Sequence, residues 1–115
     1  MKQCTITKEQ RGELGILHLN GSLDASSFSQ LETALTELHD QHLHRIVLNC
    51  EQLHFINSAA LGTLVRFTRR VREKSGDLKL AAVSSTIRMI LELLNFHKIL
   101  DFVDDVETAT TSFTD

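Results

Sequence analysis

The chain has 115 residues, 42% of them apolar and 23% charged, with a formal net charge of −3. That length implies a single domain, expected over residues 1–115, with a core large enough to need no staples. The acidic balance argues against a nucleic-acid partner, and six Phe with no Trp or Tyr leave little for base stacking. No apolar run approaches the roughly 18 residues of a membrane span, so direct membrane insertion is not expected. The start, Met1-Lys2-Gln3-Cys4-Thr5, lacks the apolar run of a signal peptide. Cys4 and Cys50 belong to no CxxC pair and read as buried thiols of a reducing compartment. A cytoplasmic location is expected.

In chain order, residues 3–8 and 14–20 read as strands joined by a Gln10-Arg11-Gly12-Glu13 turn. Ile16, His18 and Asn20 alternate with Leu17 and Leu19, a half-buried pattern. Gly21-Ser22-Leu23-Asp24 turns the chain into a helix over 26–42, with Ser26 or Ser27 as N-cap and Phe28, Leu31, Leu35 and Leu38 at helical spacing. Residues 45–50 form a short apolar strand of the kind covered on both faces. A second helix runs over 58–75, with Leu61, Leu64, Val65 and Val71 inward and Gly76 as its stop. Leu78 to Val83 is a strand, and Ser84-Ser85-Thr86 caps a third helix. Ile87, Ile90, Leu91 and Leu94 make its expected buried stripe, and Asn95 suits its left-handed end. Met89, Leu93 and Phe96 fall off that stripe, where exposure would mark a partner contact. Ile99 to Val103 closes the sheet, and 105–113 is a weak last helix. The order β β α β α β α β α implies a mostly parallel sheet. The first two strands form a hairpin, because their connection is too short for a crossover.

The segment with most chemical content is Phe55-Ile56-Asn57-Ser58-Ala59-Ala60-Leu61-Gly62. It joins an apolar strand to a helix through short polar and small residues. Such a helix start offers free backbone N–H groups and favours negative charge. As local chemistry it reads first as a tight turn with an N-cap, the usual work of these residues at a helix start, and only second as a docking surface.

This segment resembles the Asp-Ser-Ser-Gly-Leu-Gly motif of STAS domains, the sulphate transporter and anti-sigma factor antagonist family. Gly21-Ser22-Leu23-Asp24 and Leu93-Leu94-Asn95-Phe96 stand where relatives commonly carry Gly-x-Leu-Asp and Leu-x-Gly-Leu. The resemblance covers nearly the whole chain. It implies an α/β STAS fold: a mostly parallel central sheet, an N-terminal antiparallel hairpin strand and about four helices. It also implies a non-enzymatic, cofactor-free module that binds an anti-sigma factor with a kinase-like ATP-binding fold. Residue by residue, Asn57 replaces the motif's Asp, Ser58 matches the first Ser, Ala59 occupies the place of the phosphorylated second Ser, Ala60 replaces Gly, and Leu61 and Gly62 match. A phosphate on the second Ser disrupts binding in relatives that switch, since it must be desolvated in the interface. Ala59 has no hydroxyl, so that switch is absent. Ser58 is the alternative acceptor, though its direction differs from the position such a kinase serves. Asp24 and Arg66 join Asn57–Gly62 as expected partner-binding residues. Other readings implied by the family are a standalone STAS subunit of an ABC-type lipid transporter and a nucleotide- or anion-binding sensor. A weak homodimer is left open.

Outside this motif, Arg66, Arg69, Arg70, Arg72 and Lys74 crowd the second helix. They read as a solvated face or as a dock for an acidic partner. His39, His42 and His44 cluster at the end of the first helix without a complete ligand set, so no metal is expected. His54 precedes the docking turn and could tune it with pH. GxSxG, P-loop and GxGxxG signatures are absent from the sequence.

Overall fold

The computed structural model describes residues 4–113. Five strands line up in the order β1 to β5: Thr5–Arg11, Leu14–Leu23, Arg45–Ile56, Asp77–Ala81 and Asp101–Val103. β1 pairs antiparallel with β2, and every later pairing is parallel. The connecting helices are α1 (Phe28–Asp40), α2 (Ser58–Glu73), α3 (Ser85–Leu93) and α4 (Val106–Phe113). Of the first expected strand, Gln3 lies outside the described residues.

Strand alternation divides the core between the two sheet faces. On one face Leu17, Leu19, Ile46, Leu48, Leu78 and Leu80 meet Leu31, Leu35 and Leu38 of α1, Leu64 and Val71 of α2, and Ile87 and Leu91 of α3. On the other face Leu14, Ile16, Val47 and Ala81 meet Ala109 of α4. Because α4 is short, it covers only the start of β2. Ile16 is therefore buried, His18 half-buried and Asn20 exposed.

Several elements differ from the sequence expectation. β2 runs through Gly21, Ser22 and Leu23 before the chain turns at Asp24. It accommodates a register shift at Gly21–Ser22, where Gly21 takes φ 112° at no steric cost. β3 continues six residues past Cys50 because Gln52, Leu53, Phe55 and Ile56 go on pairing with β2 after β4 has ended. The polar residues Glu51, Gln52 and His54 face solvent there, so the segment reads like a loop. α1 starts at Phe28, and Ser27 holds the N-cap position without capping. Its hydroxyl donates to Ser22 O at 2.7 Å, inside the β2–α1 turn. Val65 of α2 is only half-buried, while Phe67 joins the core.

α3 departs furthest. Ile87 and Leu91 are buried, but Ile90 and Leu94 of the expected stripe are 50% and 58% exposed. Two buried positions suffice to seat a nine-residue helix on the sheet, which leaves its flanks outside. Asn95 ends α3 at φ 65°, as expected, and a 3₁₀ turn over Phe96–Lys98 leads to a last strand shorter than the sequence suggested.

Candidate docking surface

Two turns meet at the C-terminal edge of the central strands. Leu23 pairs with Ile56 at the end of the β2–β3 ladder, and Asn57 N donates to Leu23 O at 2.8 Å. The turns that follow, at Asp24 and at Asn57, therefore lie side by side.

Asn57 is extended (φ −91°, ψ 173°), and its Oδ1 accepts from Ala60 N at 2.8 Å while its own carbonyl accepts from Leu61 N at 3.1 Å. This arrangement is a side-chain N-cap, with the amides of Ser58 and Ala59 ahead of the intrahelical ladder. Asp24 builds the adjacent turn. Its Oδ1 accepts from Ser26 N at 3.0 Å, Ser26 Oγ at 2.7 Å and Ser27 Oγ at 3.1 Å. These bonds, from Ser26 first and then Ser27, hold the Asp24 carboxyl below its usual range, so it carries a fixed negative charge near neutrality.

The expected partner-binding residues separate by exposure. Ser58, Ala59, Gly62 and Arg66 are exposed, and Asp24 and Asn57 are half-exposed. Ala60 and Leu61 are buried at 0% and 5% exposure, Leu61 within the main core. A charge at Leu61 would therefore unseat α2, and it cannot probe the surface alone. Arg66 reaches across to α1, donating to Glu32 Oε2 at 2.8 Å and to Thr63 Oγ1 at 3.2 Å. Of the other cations on α2, Arg70 lies 5.1 Å over the Phe67 ring and Arg72 pairs with Asp77 at 2.9 Å. Arg69 is exposed beside them.

The large exposed apolar side chains are Phe55, immediately before the Asn57 turn, and Met89, Ile90, Leu93 and Leu94 on α3. Sequence reading singled out Met89 and Leu93 but missed Phe55, Ile90 and Leu94. Phe96, expected with them, packs against the core instead. The signal for the missed residues was an excess: α3 carries more apolar positions than one helix face can bury.

Burial pushes the Cys50 thiol up to about 12, with Cys4 adding to the effect, so it is not a nucleophile near neutrality. His18 is held on both ring nitrogens, by Glu9 at 2.8 Å and Asn49 at 3.0 Å. Among the described residues no three His, Cys, Asp or Glu side chains are grouped to hold a metal ion. No described helix is long and apolar enough to cross a membrane.

The chain is similar to known proteins along almost its full length. BtrV of Bordetella bronchiseptica, a candidate anti-sigma factor antagonist, is 26% identical over 108 residues, covering 94% of this chain and 93% of that protein. An anti-sigma F factor antagonist of Paenibacillus polymyxa is 25% identical over 105 residues, covering 90% and 89%. The crystal structure of an anti-sigma factor antagonist from Mycobacterium paratuberculosis superposes with a TM-score of 0.88 at 18% identity, covering 98% of this chain and 96% of that one. The STAS domain model matches residues 5–109, and the chain belongs to the STAS domain family.

Proposed function

We propose that this protein is a non-enzymatic binding module of the anti-sigma factor antagonist type. It docks an anti-sigma factor with a kinase-like ATP-binding fold through the paired Asp24 and Asn57 turns. The contact residues are the exposed Ser58, Ala59, Gly62 and Arg66 with the half-exposed Asp24 and Asn57, while Ala60 and Leu61 support them from within. The observation that carries this reading is the exposed, small-residue start of α2, flanked by exposed Phe55 and by the carboxylate of Asp24. The names of the relatives of similar length support it. The exposed apolar flanks of α3 are a second candidate contact area, since such patches mark contacts with partners.

With Ala at the place of the family's acceptor, the module stays in its binding state. Control then rests on abundance or on a competing antagonist. A phosphate on Ser58 would sit at a helix start, which tolerates negative charge, but in the middle of the docking surface.

Ala59→Glu is the direct test. The position is exposed, and an acidic residue in the first turn of a helix is stabilising, so folding is preserved. The tagged protein is expected to retain an ATP-binding anti-sigma factor from its host, and Ala59→Glu to lose it with an unchanged melting temperature. Equal retention by both forms would refute the placement of the surface. Capture of a transporter subunit instead would move the function to the structural reading.

A further inference from the structure

At the other end of β3, α1 and α2 finish against one point. Both helices close with the same reversal. In α1, His42 is left-handed (φ 59°), with His42 N on His39 O at 3.0 Å and Leu43 N on Leu38 O at 2.9 Å. In α2, Ser75 is left-handed (φ 63°), with Ser75 N on Arg72 O at 3.1 Å and Gly76 N on Val71 O at 2.8 Å. These are the paired bonds of a Schellman motif. Asp77 N then donates to His44 O at 3.0 Å and ties the two reversals together. A Cβ on Gly76 would stand 1.8 Å from that same His44 oxygen, so the joint has no slack.

Three imidazoles gather at this joint, His39 and His44 half-buried and His42 exposed. The ring centroids of His39 and His44 are 5.3 Å apart, and those of His42 and His44 are 6.3 Å apart, both pairs edge to face. The Nδ1 atoms of His39 and His44 are buried without a hydrogen-bond partner. Lys74, the C-cap of α2, and Arg45, the first residue of β3, line the same cleft as His42 and His44, and Glu13 from the β1–β2 turn is the carboxylate lining it. Asp77 of β4 is engaged by Arg72 and by Leu78 N, and Asp40 at the end of α1 is exposed. The helix C-termini favour positive charge, but the two reversals already occupy carbonyls there.

We propose that the His39–His42–His44 corner is an acid-sensitive latch. With His44 neutral it locks the ends of α1 and α2 to the start of β3; on proton uptake by His44 it opens that joint while the Asn57 end stays closed. Protonation would put charge on a ring whose Nδ1 has no acceptor and crowd it against His39, His42 and Lys74. Burial first, and then His39, His42 and Lys74, accordingly hold His44 below its ordinary value. The unfolded or opened corner has the higher proton affinity. The stabilisation is therefore complete above the ordinary His value of about 6.5 and is lost as the pH falls below it.

The test is amide hydrogen exchange on the whole chain at pH 7.5 and 5.5, normalised for intrinsic rates, beside the double variant His39→Gln/His44→Gln. Leu43, Gly76 and Asp77 amides report the joint, and Leu61, bonded to Asn57 O, reports the far end. A loss of protection of several-fold, with about tenfold as the limit for one imidazole of ordinary value 6.5, is expected at the first three on acidification, with Leu61 unchanged and the loss absent from the double variant. Equal loss at Leu61, no loss at the joint, or the same loss in the double variant would overturn the latch. Should the double variant not fold, side-chain NMR titration of the unaltered protein decides. A His44 pKa below 6.5 supports the latch, and one at or above 6.5 overturns it. None of these readouts depends on the identity of a binding partner.

Discussion

α2 and α3 start in the same way and are used differently. Each opens on a polar side chain that caps a backbone amide, Asn57 on Ala60 N at 2.8 Å and Ser84 on Ile87 N at 3.2 Å. Each lies on the same face of the sheet. α2 then buries Ala60, Leu61, Thr63, Leu64, Phe67, Thr68 and Val71, and turns its charges outward. α3 buries Ile87 and Leu91 and leaves Met89, Ile90, Leu93 and Leu94 in solvent. For α2 the apolar pattern is a folding signal. For α3 most of it has no fold to serve, and exposed apolar area of this kind is what a partner covers.

The largest expected effect lies where α2 ends. Gly76→Ala drives a methyl into the His44 carbonyl, and the backbone must move to relieve it. We expect a loss of about 3 kcal/mol or failure to fold, measured by urea unfolding. Gly62, in the same helix, has open space around an added Cβ, so Gly62→Ala is expected to gain roughly 0.5–1 kcal/mol. Equal effects at the two glycines would break the view that the end of α2 is clamped and its outer face free.

Core truncations match the Gly76 loss in size. Leu64→Ala in α2 and Leu91→Ala in α3 should each cost about 2–5 kcal/mol, because both are 1% exposed and leave cavities. Cap removal is smaller. Asn57→Ala and Ser84→Ala should each cost about 1 kcal/mol, more at Asn57, whose bond is shorter, by the shift of the thermal midpoint.

Local chemistry made the Ser84 cap, the element order and Asn95 legible, since each depends on neighbours within a few residues, whereas Ser27 was drawn into the β2–α1 turn instead of capping α1. The turn at Asn57 was legible for the same reason. What could not be read were features set by tertiary approach. The role of Gly76 comes from the His44 carbonyl more than thirty residues away, while the left-handed turn itself falls on Ser75. The extension of β3 comes from its ladder with β2, and the exposure of Ile90 and Leu94 from how little sheet lies beneath α3. Leu61 shows both sides: its helical spacing placed it inward, and the motif's place among docking residues did not reveal that it acts from below the surface.

The smallest effect on stability separates the two helices most sharply. Met89 and Leu93 are 61% and 75% exposed and lie one turn apart on α3. Replacing both with Ser removes apolar surface that the folded chain does not bury, so the free energy of urea unfolding should change by no more than about 0.5 kcal/mol at each site. Ser is a somewhat poorer helix former, which sets the sign of any small loss. If the surface of α3 adjoins the docking turn, the same double variant should bind the partner at least tenfold more weakly, measured by calorimetry beside Ala59→Glu. Unchanged affinity with unchanged stability would mean that α3 lies outside the interface. A large loss of stability would mean that these side chains belong to the fold after all, and the contrast between α2 and α3 would collapse.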